Sequence, residues 1–303
     1  MRAIVLLVTV LAGVRLDRAL GAENRPVYMY EDTRRLVALV EEAARLVEQK
    51  GEQAFAEFRV RDSKWFNERL YLFIYDIDGI NLFHAEQPEF IGKNLMPLGD
   101  MDGKPILLFI TDIGRKPEKD ASGWVFYLWP DKNQLNPLWK SSYIRKVVWP
   151  GHKAILVGSG MFNIKTERYF VQEKVKAAAE LLQKFGKNFA FEEFRNRASP
   201  FVFLDTYIFV LDTQGRALVD PARPNITGRD LSNFRDAVGV PTMREVLDKL
   251  QRSDDVWVQY LWPRPGAATP SRKLMYARKV KVGTETLIVG SDFFLATPIW
   301  MKG

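Results

Sequence analysis

The chain carries one unit twice. Tyr71-Leu-Phe-Ile-Tyr-Asp76-Ile-Asp-Gly79 returns as Tyr207-Ile-Phe-Val-Leu-Asp212-Thr-Gln-Gly215, shifted by 136 positions. Trp124-Val-Phe-Tyr127-Leu-Trp129-Pro130 returns 133 positions on as Trp257-Val-Gln-Tyr260-Leu-Trp262-Pro263. Lys140, Tyr143 and Arg145 match Lys273, Tyr276 and Arg278, and Val157-Gly158-Ser159 with Phe162 matches Val289-Gly290-Ser291 with Phe294. The order never changes, and two small length differences account for the altered shifts. A period this long, seen twice, means a duplicated domain, because solenoid units run to about 20–50 residues. The boundary falls near residues 164–170, which divides the chain into residues 22–165 and 166–303 after a leader over 1–21.

Within each unit the hydrophobic period changes in a fixed order. Leu36, Leu39, Val40, Ala43, Leu46 and Val47, with Phe55 and Phe58 beyond Gly51, recur at spacings of three and four. That is the stripe of an amphipathic helix, and residues 171–194 repeat it. Two strand-like runs follow, 71–75 and 80–84 or 207–211 and 216–220, joined by a glycine-containing turn. Pro105 and Pro241 suit the start of a second helix. Three strands then close each unit, 123–129, 140–148 and 153–162, or 256–262, 273–282 and 284–294. The fold class is therefore α+β, a long N-terminal helix plus an antiparallel sheet covered on one face, made twice.

Arg2, the apolar run Ile4–Val14 and the small residues before a cut after Gly21 form the parts of a secretory signal. Removing residues 1–21 takes away three basic and one acidic side chain, so the net charge falls from +7 to +5. No later run reaches the ~18 apolar residues of a membrane span, and an exported, soluble, periplasmic protein is expected. No basic block with interleaved aromatics points to nucleic acid.

The absence of Cys excludes thiol catalysis and thiolate zinc, and two His leave little for a metal cluster. No nucleophile with its base and no metal spacing is present, so neither an enzyme nor a cofactor is expected. Asp76-x-Asp78-Gly79 and Asp100-x-Asp102-Gly103 lack the remaining ligands of a calcium loop and are read as turns.

The ordered set of motifs resembles the Cache family of extracytoplasmic sensor domains, in particular the PAS-like single-Cache type 2 unit, here in tandem. It comprises Gly51-x-x-Ala-Phe-x-x-Phe58, Tyr71-x-Phe-x-x-Asp76-x-x-Gly79, the segment from His84 through Gly92-Lys-Asn to Pro105, Trp124-x-x-Tyr127-x-Trp129-Pro130, Lys140-x-x-Tyr143 and Gly158-Ser-Gly160. The second unit departs from the first at Asp220, Val238, Val240 and Asp292, which stand at the positions of His84, Asp102, Lys104 and Gly160. The resemblance implies small metabolites, for type 2 units short carboxylates, bound between the sheet and the segments covering it.

The residues offer the parts for such a pocket. Alternation along a strand sets Tyr127 and Trp129 on one wall and Trp124 with Phe126 on the other. Lys140 with Tyr143, and Lys273 with Tyr276, could hold a carboxylate by charge-assisted hydrogen bonds over an aromatic floor, although strict alternation separates residues three apart. Tyr75, His84, Trp124, Tyr127, Trp129, Lys140, Tyr143, Tyr260, Trp262, Lys273 and Tyr276 are the candidate ligand-binding residues. For the aromatic positions, plain core is an equal alternative. His84 is open to two readings, a pH-dependent ligand contact or a turn anchor. The function expected is a sensor module for a small organic acid that signals to a membrane-bound chemoreceptor or histidine kinase. The alternative is a solute-binding protein that feeds a transporter.

Overall fold

The computed structural model describes residues 26–131, 134–148, 153–264 and 267–295. The export signal expected over residues 1–21, and His152, lie outside them. Each half builds its own five-stranded antiparallel sheet, in the order β2-β1-β5-β4-β3 and β7-β6-β10-β9-β8. In the first, these are β1 Leu72–Asp76, β2 Asn81–His84, β3 Ser122–Trp129, β4 Leu138–Val147 and β5 Ile155–Phe162. In the second they are β6 Phe209–Asp212, β7 Ala217–Val219, β8 Asp255–Pro263, β9 Pro270–Val282 and β10 Glu285–Phe294. Among the described residues no strand crosses between the sheets.

Helix α1, Glu31–Lys50, packs Leu36, Val40, Ala43 and Val47 on the first sheet. Gly51, at φ +58°, ends it, and the four-residue helix α2, Phe55–Phe58, continues the apolar stripe. In the second half α4, Arg168–Arg195, plays both parts and bends at Gly186 with φ +79°. Helices α3, Ile106–Gly114, and α5, Thr242–Leu250, lie on the opposite faces. Both faces of each sheet are therefore covered, not one as the sequence reading has it. The reason is the strand composition: β1, β4 and β5 bury residues of both parities, which leaves no face suited to water.

The paired acidic residues are turn formers. Asp76 Oδ1 accepts the N–H groups of Asp78 at 2.9 Å and Ile80 at 2.8 Å. Asp100 does the same for Asp102 and Lys104, and its second oxygen accepts from Leu128 N at 2.9 Å, which ties the loop before α3 to β3.

That loop also joins the halves. Lys104 is fully buried, and its ammonium donates to the backbone carbonyls of Arg197, Ser199 and Val202 at 2.8, 2.6 and 2.7 Å. Arg197 pairs with Asp102 at 3.2 Å. Phe170 and Phe203 enter the core under α1, where Phe203 stacks on Phe126 with centroids 4.7 Å apart. Glu167 holds the segment leading into α1 by accepting from Met29 N and Tyr30 N at 2.7 and 2.9 Å. Among the described residues no helix is long and apolar enough to cross a membrane.

Candidate functional site

The α3 face of the first sheet holds a cluster of polar side chains around a small cavity of about 10 Å³, on the scale of a water molecule. Phe73, Tyr75, His84, Tyr127, Trp129 and Lys140 line it from the sheet, and Ile106 and Ile110 from α3. Strand register makes this grouping. Lys140 stands opposite Tyr127 on β3 and Phe162 on β5, and Ser142 stands opposite Gly160. A Cβ at Gly160 would press on Ser142 Oγ and lie 2.8 Å from Lys140 Cε, so any side chain there would displace both.

Lys140 is 1% exposed. Its ammonium contacts the Tyr71 hydroxyl and lies 4.1 Å from the centre of that ring, with the rings of Trp129 at 5.8 Å and Phe162 at 5.6 Å. Among the described residues no carboxylate forms an ion pair with it. Burial pushes its pKa down to about 7, and the field of Glu86 opposes this only in part. The neighbouring phenols move the other way for the same reason: burial raises Tyr75 to about 12 and also raises Tyr71 and Tyr127. They remain protonated donors. Tyr127 and Ser142 share a hydrogen bond of 2.9 Å. Among the described residues the Lys140 ammonium thus has phenols and aromatic rings beside it and no paired carboxylate, an arrangement that can accept an anion.

Burial and the field of Lys140 hold His84 down to about 3, so it is neutral across the ordinary external pH range and cannot sense pH there. Its Nδ1 accepts the N–H of Gln87 at 2.9 Å, as the turn-anchor reading requires, and this assigns the proton to Nε2.

A larger cleft, about 480 Å³, opens beside the cavity and is bordered by Arg61, Glu86, Gln87, Tyr71, Trp129 and Phe162. Tyr71 and Trp129 thus stand between solvent and Lys140.

Five of the seven first-unit candidates meet here: Tyr75, His84, Tyr127, Trp129 and Lys140. Trp124 and Tyr143 do not. β4 runs unbent through residues 138–147, so Tyr143 faces α1 and its hydroxyl donates to Glu41 at 2.9 Å. Trp124 lies on the same face and donates to the Tyr28 hydroxyl at 3.0 Å. The pairing of Lys140 with Tyr143 is therefore corrected to Lys140 with Tyr71 and Tyr127. Tyr71 was missed, although it opens the first repeated motif and recurs as Tyr207.

The second unit places Tyr260, Trp262 and Lys273 on the α5 side and turns Tyr276 toward α4, where its hydroxyl donates to Asp255 at 2.8 Å. Its centre differs in charge. Lys273 Nζ lies 2.6 Å from Asp292 Oδ1, and Tyr260 donates to Asp292 Oδ2 at 2.5 Å. Asp220, at the position of His84, pairs with Arg223 at 3.0 Å. Among the described residues no group of three or more acidic or His side chains is placed to hold a metal ion.

Comparison with known proteins agrees with this architecture. The family model described as Cache domain matches residues 53–162, and that described as Single Cache domain 2 matches residues 164–293. Over 77 residues the chain is 32% identical to the methyl-accepting chemotaxis protein McpP of Pseudomonas putida, a match covering 25% of this chain. The match spans only 14% of that relative's length. Among solved structures, a Cache chemosensory domain studied for carboxylic acid recognition is 20% identical, covering 41% of this chain and 90% of its own, with a TM-score of 0.35. The ligand-binding domain of the Pseudomonas fluorescens chemoreceptor CtaA, in complex with L-alanine, is 10% identical over 86% of this chain and 88% of its own, with a TM-score of 0.28. Two different Cache models, meeting end to end on the two halves of a duplicated sequence, place this chain in the Cache family as a tandem of two units.

Proposed function

We propose that the first unit binds a small organic anion, a short carboxylate, and that the chain is a periplasmic sensor module reporting occupancy to a membrane-bound chemoreceptor or histidine kinase. Lys140 carries the reading. A buried ammonium with no ion pair among the described residues is costly, and a carboxylate arriving beside it recovers that cost through hydrogen bonds of about 1.5–3 kcal/mol each. Tyr127 and Tyr75 supply neutral donors, and Trp129 is the wall that gives way, with Tyr71, toward the outer cleft. The small cavity favours ligands of few atoms. At about 1.5 kcal/mol per heavy atom, acetate reaches a Kd of some tens of micromolar at best. Cache units are extracytoplasmic, and the likeness to a chemotaxis protein supports a partner of the chemoreceptor type.

A thermal-shift series with acetate, propionate and butyrate tests the ligand class. Stabilisation follows RT ln(1 + [L]/Kd), about 2.7 kcal/mol at a hundredfold excess over Kd. No shift with any of the three would remove the proposal.

The pH dependence is specific. With Lys140 at about 7 in the free protein, the ammonium is already charged below that pH and affinity is flat. A bound anion raises the pKa, so above pH 7 binding must bring a proton with it. Affinity then falls by up to about tenfold per pH unit. Titration calorimetry in buffers of different ionisation enthalpy should register proton uptake at about pH 8. An affinity that stays level between about pH 6 and 9 would rule out Lys140 as the anchor.

A further inference from the structure

We infer that Asp292 is a built-in carboxylate that occupies, in the second unit, the place an external carboxylate takes in the first, so that the second unit is closed to such ligands. This rests on the reading of Lys140 as an anion anchor. The two sheets are superimposable by register. Lys140 opposite Tyr127 and Phe162 becomes Lys273 opposite Tyr260 and Phe294, and Ser142 opposite Gly160 becomes Met275 opposite Asp292. The second unit thus keeps the ammonium and the phenol and changes the position that points between them from no side chain to a carboxylate.

The contacts are those that a bound acid would make. One oxygen of Asp292 lies 2.6 Å from Lys273 Nζ, close enough for an ion pair though off the hydrogen-bonding direction, and the other accepts from Tyr260 at 2.5 Å. In the first unit the equivalent groups have only placeholders: Lys140 contacts Tyr71, and Tyr127 contacts Ser142. The rest of the second centre is balanced as well, because the His84 position holds Asp220 and its neighbour Arg223 neutralises it through two nitrogens at 3.3 and 3.0 Å. An incoming carboxylate there would meet Asp292 already seated and would gain no unpaired charge. Both units carry the same lysine; one glycine-to-aspartate difference decides which is receptive.

Calorimetric titration of the whole chain with acetate, propionate and butyrate reads this as stoichiometry. The wild type should take one equivalent. Asp292→Gly should take two, and adding Lys140→Met to it should return the count to one, now in the second unit. A folded Asp292→Gly protein that still takes one equivalent, or a wild type that takes two, overturns the inference. If the wild type takes none while Asp292→Gly takes one that Lys273→Met removes, the closure of the second unit by Asp292 stands and the reading of the first unit fails. No binding to either protein overturns both. Should Asp292→Gly not fold, the paired replacement Lys273→Met with Asp292→Leu removes both charges together, a change that buried ion pairs often tolerate. Unchanged wild-type stoichiometry in that variant supports the inference, and loss of one equivalent overturns it.

Discussion

Lys140→Met is expected to abolish carboxylate binding and to make the ligand-free protein more stable. The two effects have one origin. The ammonium is buried among Tyr71, Phe73, Trp129 and Phe162 with no ion pair among the described residues, so the empty fold bears the cost of a charge that only a ligand relieves. Methionine keeps the length and the packing against aromatic rings and removes the charge. Replacement of buried charge by apolar volume gains about 1–4 kcal/mol, several degrees in melting temperature. Loss of the charge-assisted bonds costs at least about a hundredfold in affinity. The sign with pH follows. The folded pKa, about 7, lies below that of the unfolded chain, so wild-type stability rises as pH climbs from about 7 toward 10.4. The advantage of Lys140→Met is therefore greatest below pH 7 and shrinks in alkali. Thermal melts across that range, paired with titrations, check both halves. A variant that is less stable, or that binds as before, contradicts the assignment.

What the sequence made legible and what it hid divide along a physical line. Element order and the two-unit plan came from periodicity and repetition, which are local properties of the chain. The site was legible as far as alternation reaches: Tyr127, Trp129 and Lys140 share a face because β3 and β4 are antiparallel neighbours in register. Lys140 and Tyr143 could share a site only if β4 bent between them, and its pairing with both β3 and β5 across that stretch prevents it. Tyr71 was hidden because, although it opens the run 71–75, its approach to Lys140 depends on the β1–β5–β4 order, which no single run reveals. The meaning of Asp292 was hidden too. As a departure from Gly160 it was visible, but its pairing with Lys273 is a contact between strands. Val238 and Val240 teach the same lesson. Visible only as departures in the sequence, they mark positions whose first-unit counterparts, Asp102 and Lys104, face the other half of the molecule.

The same substitution at that second buried lysine should have the opposite sign. Lys104→Met is expected to destabilise the protein by about 3 kcal/mol or more, because Lys104, unlike Lys140, has its partners inside the fold. Its ammonium donates to three backbone carbonyls of residues 197–202, all within 2.8 Å, and methionine would leave three acceptors without their donor in a buried place. Each orphaned acceptor costs about 1–3 kcal/mol, offset in part where water enters. Burial pushes Lys104 down to about 8 against the pull of Asp100 and Asp102, and above that pH a neutral amine keeps two protons for three carbonyls. The contact spans the two halves, so its loss should also uncouple them. Urea denaturation of Lys104→Met should lower the midpoint and split one transition into two, the first-unit and second-unit sheets unfolding separately. At the equivalent position Val240 is 43% exposed and meets no such loop among the described residues, so Val240→Met should change stability by less than about 0.5 kcal/mol. A Lys104→Met protein as stable and as cooperative as the wild type would show that the other contacts between the halves, Phe170, Phe203 and Glu167 among them, suffice to hold them.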